Sequence, residues 1–331
     1  MLTGEKILIT GASGLVGMEL AAELAKTNEV WGLSRYLDAS QRAGTVNAWA
    51  VSRQEVEAIG VKTIAADLMG DLSHVPTDFT YLIHLAHTRL GIDRLGEAVD
   101  VNALSAGRIM HHCRNAKAAL MMSSTAVYTP PKEVTHLLKE GDALGGASPP
   151  FHNPTSPAAK ISMEAVAQFC ATEFSLPTII MRSNVVYGPK GGLPIRDLFR
   201  IASGETLTWF GDPYPHSPIH FADMADQIEA LVGAAHTKAN IVNWCGDEVI
   251  SQRDWCELAA ELSGQTLQFE HMQGAPGNSA DPTKRRAITG PCKRAFHKGY
   301  SEAYQAYTVN KDNVSRQLEI NKGNGAIRAT G

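Results

Sequence analysis

The segment KILITGASGLVGMEL (6–20) limits the fold more than any other stretch of the chain. Five residues rich in β-branched and aliphatic side chains run directly into a loop with Gly11, Gly14 and Gly17, and a helical pattern begins at once behind it. A buried strand that turns sharply into a helix is the first half of a βαβ unit. The pattern then repeats. EVWGLS, VKTIAAD, YLIHLA, ALMMSS, PTIIMRSNVV and NIVNWCG are short apolar runs separated by longer helical or polar stretches. Strands buried on both faces and joined by helical crossovers predict an α/β fold, a Rossmann-like doubly wound parallel sheet of about seven strands.

From about Tyr187 the pattern becomes turn-rich. YGPKGGLP reads as a loop, IRDLFRIASG as a short helix ending at Gly204, and Asp223 as a cap for the helix after it. SQRDWCELAAELSG reads as an amphipathic helix started by Ser251 or Asp254, with Trp255, Leu258, Ala259 and Leu262 on one stripe. The expected division is a dinucleotide-binding domain over residues 1–186 and about 216–246, and a substrate-binding domain over about 187–215 and 247–320. Residues 321–331 read as a tail.

Composition excludes several classes. A net charge of -4 over 331 residues gives no footprint for nucleic acid or an anionic membrane. No apolar run is long enough to span a bilayer, and the N-terminus lacks a basic region followed by a long apolar segment. The five scattered cysteines form no C-x-x-C pair and the histidines no metal-ligand spacing, so reduced thiols, no metal and a cytoplasmic location are expected.

The glycine loop has the mechanics of a dinucleotide site. One glycine permits the turn, one lets the backbone approach a pyrophosphate, and one packs helix against strand, while the helix N-terminus faces the phosphates. Gly11, Ser13, Gly14, Leu15, Val16 and Gly17 are therefore cofactor-binding candidates. At the end of the second strand an acid would favour NAD. Ser34 and Arg35 stand there instead, which predicts NADP, with NAD as the other possibility. Asp67 and Leu68 are placed near the adenine, and Leu85 and Ala86 beside the cofactor at the end of the fourth strand.

TGASGLVG, AADL, HLAH, VDVNALSAGRIM with Asn102, SSTAVYTP, RSNVVYGP and PIHFADMA together resemble the extended short-chain dehydrogenase/reductases, the NAD-dependent epimerase/dehydratase family, over nearly the whole chain. The resemblance implies a nicotinamide cofactor, a homodimer, and chemistry carried by a Ser or Thr, a Tyr and a Lys. Ser124 matches the first, with Thr125 beside it, and Lys160 matches the lysine, which would also hold the nicotinamide ribose. The residue four before Lys160 should be the tyrosine and is Ser156. A serine hydroxyl is far less acidic than a phenol near pKa ~10, so the usual acid is missing. His152, Tyr128, His87 or a water held by Ser156 are the groups that could replace it. The chemistry could instead need less than the full set, or the chain could be a non-catalytic NAD(P)-binding regulator or scaffold, or a nucleotide-sugar enzyme inactivated at this position.

Family members that act on nucleotide-sugars commonly carry an asparagine three residues after the arginine of the sixth strand. Here Asn184 follows Arg182 by two and the third residue is Val185, which favours a smaller carbonyl or hydroxyl compound. Thr125, Asn184, Tyr187 and His87 are the substrate-facing candidates. Trp209, Phe210, Tyr214 and His216 fall in a loop that would close over the pocket or pack the small domain, and DPTKRRAITG reads as a solvated helix start. The helices over about 102–113 and 161–174 would pair across the dimer axis, with Met163, Val166, Ala167 and Cys170 as the apolar stripe.

Overall fold

The computed structural model describes residues 2–37, 50–145, 154–209, 211, 213–271 and 277–309. The apolar runs form the strands β1 (Lys6–Thr10), β2 (Glu29–Ser34), β3 (Lys62–Ala65), β4 (Tyr81–His84), β5 (Ala118–Ser124), β6 (Thr178–Ser183) and an edge strand, Asn240–Trp244. All pair in parallel, in the order edge strand, β6, β5, β4, β1, β2, β3. The expected doubly wound sheet of seven strands is therefore present.

Side chains alternate across this sheet as the pleat requires. Ile7 and Ile9 face one layer, built from α1 (Leu15–Leu24) and α6 (Phe221–Gly233), and Leu8 faces the other. That other layer holds α3 (Leu95–His112) and α4 (Ser156–Glu173), which pack on each other and on the sheet. The short α2 (Arg53–Glu57) opens with a capping box between Ser52 and Glu55.

A separate apolar core lies beyond β6. It joins α5 (Leu193–Ala202), α7 (Gln252–Ser263) and α9 (Phe296–Val309) through Ile195, Leu198, Trp255, Phe296 and Tyr300. Ser251 caps α7 in a box with Asp254, as the sequence suggests. Trp209 packs edge-on against Phe269 and Tyr214 edge-on against His216, while His216 lies tilted against Trp255. These three rings thus belong to the packing of the smaller core, while Phe210 lies outside the described residues.

Four expectations are corrected. His220, not Asp223, caps α6, its Nδ1 accepting from the Ala222 amide at 3.1 Å. The helix α8 (Thr283–Thr289) does not have a wholly solvated start, because Arg285 is fully buried and ion-paired to Asp247. α4 starts at Ser156, a turn before the expected helix, with Thr155 as its cap residue and Pro157 in its first turn. Met163, Ala167 and Cys170 are buried within their own chain, against the sheet and α3, so this stripe is not an exposed dimer surface.

No helix among the described residues is long and apolar enough to cross a membrane. The cysteines are free thiols, and among the described residues no group of His, Cys, Asp and Glu could hold a metal.

Candidate active site

In an open parallel sheet, ligands bind beyond the carboxyl ends of the strands, where the strand order reverses. Here that place is the gap between β1 and β4. The glycine loop leaves β1 and meets the loop leaving β4. Gly11 has φ 72, and a side chain there would bring Cβ to 2.8 Å from the Ala86 amide nitrogen. A Cβ on Gly17 would lie 2.2 Å from the Gly11 carbonyl oxygen. Both positions exclude any larger residue, for backbone reasons. The first turn of α1 carries no acid, so its N-terminal amides and dipole are left free to meet negative charge. This cradle fits the pyrophosphate of a dinucleotide, and Gly11, Ser13, Gly14, Leu15, Val16 and Gly17 would hold it.

At the end of β2, Ser34 is buried and turned inward. Its Oγ accepts from the Ser13 amide and the Ser13 hydroxyl, each at 3.2 Å, and so braces the glycine loop. Arg35 next to it is exposed. Asp67 is exposed and turns back on the Met69 amide, while Leu68 is buried in the core. Leu85 and Ala86 are half-buried, and their amides lie on Thr10.

The second part of the site is the head of α4. Lys160 is buried with its Nζ donating to the Met122 carbonyl at 2.5 Å. Burial, and then the charge of Arg89, pulls its ammonium down to about 7, against the opposite pull of Glu164. Glu164, one turn further on, is buried in an ion pair with Arg182 at 2.8 and 3.0 Å, and accepts from Ser123 at 2.5 Å. Ser124 is half-buried, and its Oγ accepts from the Ala126 amide at 3.2 Å.

One turn before Lys160, Ser156 occupies the expected phenol position. Its Oγ is 3.0 Å from His87 Nε2, and His87 Nδ1 is 2.8 Å from Asn102 Oδ1. Burial, Lys160 and Arg89 hold the His87 imidazole well below its ordinary range. Arg89, two residues on, is exposed and acts on both His87 and Lys160 through its charge.

These features match a known family. Its sequence profile, described as the NAD dependent epimerase/dehydratase family, covers residues 7–245. The chain belongs to this family. It is 26% identical over 303 residues to an uncharacterized UDP-glucose epimerase, YtcB, of Bacillus subtilis (strain 168), covering 86% of this chain and 91% of that one. Its fold is similar to that of dTDP-glucose 4,6-dehydratase from Bacillus anthracis in complex with NAD, with TM-score 0.77, 18% identity and coverage of 95% of this chain and 100% of the other. It is also similar to UDP-glucuronic acid 4-epimerase from Bacillus cereus in complex with NAD, with TM-score 0.75, 20% identity and coverage of 93% and 98%.

Several family-matched residues are occupied elsewhere in the structure. Asn102 does not open towards a cofactor. Its Nδ2 donates to the Ala98 and Thr88 carbonyls and its Oδ1 accepts from the Thr88 amide, so it fastens the loop after β4 to α3. Asn184 is buried. Its amide donates to Thr125 Oγ1 and to the Asn278 carbonyl, and its Oδ1 accepts from the Ser217 amide, so both ends of the side chain are engaged within the protein. Thr125 is buried in the same network. Tyr187 packs between His220 and Phe296. Of the four substrate-facing candidates, His87 is the one that faces Ser156. Tyr128 is buried too, its hydroxyl donating to Asn243 Oδ1 at 2.6 Å under the Arg182 guanidinium, and is no replacement acid. His152 lies outside the described residues.

Sequence reasoning missed the fastening of the His87 loop. Thr155 Oγ1 donates to the Leu90 carbonyl at 3.1 Å, so α4 grips this loop at two consecutive residues. A signal was available in the topology. The loop after β4 and the head of α4, which leads into β6, lie at the same end of a parallel sheet, one strand apart.

Proposed function

We propose that this chain is an epimerase/dehydratase-type enzyme that uses a nicotinamide dinucleotide to oxidise and reduce a hydroxyl or carbonyl carbon, with its acid/base work done at the head of α4 without a phenol. The observation that carries this reading is the alignment of the glycine cradle, Ser124, Ser156 and Lys160 at one end of the sheet. The bound dinucleotide would supply the acceptor and donor of the carbon-bound hydrogen. Lys160 would hold its ribose, and Ser124 would orient the substrate oxygen.

NADP is our preferred cofactor. Ser34 is engaged inward, the residue after it is Arg35 rather than an acid, and the Arg35 side chain is exposed to meet a 2′-phosphate. The named structural relatives bind NAD. Titration of both dinucleotides decides this point, and tighter NAD binding overturns it.

The substrate we favour is a compact carbonyl or hydroxyl compound, because Asn184 is closed off inside the protein. A second reading is a nucleotide-diphosphate sugar, favoured by the relatives named for UDP- and dTDP-sugars. A homodimer would form across the outer faces of α3 and α4, where Leu104 and Phe169 stand exposed. Light scattering tests that surface, and a monomer removes it.

A cofactor-absorbance screen over simple carbonyls, free sugars and UDP- and dTDP-sugars, run beside Lys160→Ala, tests the enzyme reading. Turnover lost in the variant supports it. Turnover that survives, or dinucleotide binding with no turnover on any compound, contradicts it.

A further inference from the structure

The hydrogen bonds around Ser156 form a chain with a direction. Asn102 Nδ2 is committed to two carbonyls, which fixes its Oδ1 as the acceptor facing Thr88 N–H and His87. His87 must then donate from Nδ1 to Asn102, and its Nε2 is left as an acceptor. Among the described residues the group bonded to Nε2 is the Ser156 hydroxyl, at 3.0 Å, so that hydroxyl donates to it. Hydroxyl, imidazole and an orienting side chain in this order are the elements of an activated nucleophile or proton carrier. Ser156 is half-exposed between buried Thr155 and Pro157.

We propose that Ser156, activated by His87 and held in register by Asn102, is the proton-transfer residue that replaces the missing phenol. This rests on the enzyme reading above. In the oxidative direction the substrate O–H bond breaks and its proton passes to Ser156 Oγ. The Ser156 proton passes to His87 Nε2. A bound oxidised dinucleotide would supply the acceptor for the hydrogen and bonding pair that leave the substrate carbon as C–O becomes C=O. The reductive direction reverses each transfer. Ser156 is the catalytic residue, His87 acts through it, and Asn102 is a positioning residue.

The surroundings suit a proton that leaves and returns. The groups facing His87 are Lys160 from α4, Arg89 from its own loop, His84 from β4, Asn102 from α3 and Ser156. His84 is itself held neutral, pulled down to about 3 by burial and then Lys160, and is bonded to Thr10 Oγ1 at 2.9 Å. Neutral His87 is the state able to accept a proton. Burial and the nearby cations also oppose the imidazolium, so His87 is a weakened base that holds the proton only in passing and returns it.

The first test, a labelling experiment, needs neither cofactor nor substrate, so its failure is distinguishable from failure of the screen above. The native protein is treated with diisopropyl fluorophosphate and the labelled serine located by mass spectrometry. Labelling of Ser156 is expected, slowed about 10²-fold or more in His87→Ala and partly rescued by added imidazole. In Ser156→Tyr, a substrate turned over in the screen should be turned over with little further loss when His87→Ala is added, because a phenol beside Lys160 no longer needs the imidazole. Labelling of Ser156 no faster than that of other exposed serines, or a rate unchanged in His87→Ala, overturns the proposal, as does a His87→Ala change that alters only thermal stability.

Discussion

Of the helices that begin at the functional end of the sheet, α1 and α4 have starts built from different materials. The head of α1 is bare backbone, with Gly14 at its cap and no polar side chain in its first turn. The head of α4 is crowded with side chains: Thr155 and Ser156 reach the loop after β4, and Lys160 lies one turn behind them. A backbone cradle works through sterics and amide dipoles, so its glycines cannot vary without a clash. A side-chain site works through specific pairs, so one member can change if another takes up the role. The family-expected phenol is absent at the α4 end, and an imidazole from a neighbouring strand's loop is in hydrogen-bond reach of the residue that replaced it. The two helix starts thus show where a site tolerates substitution.

The contrast predicts a graded set of outcomes. Gly17→Val should have the largest effect, because even one carbon at this position falls 2.2 Å from a carbonyl oxygen. Dinucleotide binding measured by calorimetry should drop below detection, and stability should fall by about 1–3 kcal/mol. Unchanged binding would break the claim that the α1 end is sterically fixed.

Lys160→Met should produce a pH-dependent change. Lys160 keeps its proton up to about 10.5 in the unfolded chain but only to about 7 in the folded one. The unfolded state therefore binds more protons between these values, and the lysine's burden on folding is full below about 7 and fades as pH rises. Urea titration should show Lys160→Met most stabilised relative to the parent below about pH 7, with the gap narrowing towards pH 10. A gap independent of pH would mean that Lys160 is not buried as a strained cation.

Tyr128→Phe should matter least. Its hydroxyl, pushed up to about 12 by burial, donates to Asn243 and lies under Arg182. A loss of about 1 kcal/mol with no change in kcat is expected. A collapse of kcat would return this phenol to the list of acids and weaken the contrast.

Much of the α1 end was legible because its information is local. KILIT and EVWGLS match β1 and β2 residue for residue, since buried strands are continuous apolar runs bounded by turns. The glycine spacing carries its own mechanics. The α4 end was only partly legible. The register of Lys160 and the substitution at Ser156 can be counted along the chain, but His87 lies 69 residues from Ser156, and no period links them. Buried polar partners were the main losses. Asn102, Asn184 and Arg285 read as site or surface residues, and each is consumed by tertiary hydrogen bonds or an ion pair. Such residues offer the same donors to a ligand as to the protein interior, and only the packing decides between them.

The central claim is that His87 takes the serine's proton at the head of α4. Nitrogen-15 NMR of the histidine side chains in the dinucleotide-free protein tests it most directly. The account predicts that His87 is the Nδ1–H tautomer, with an unprotonated Nε2 whose resonance moves on Ser156→Ala, and that it stays neutral as pH falls below 6.5. An Nε2–H tautomer, a resonance indifferent to Ser156→Ala, or ordinary titration near pH 6.5 would contradict it.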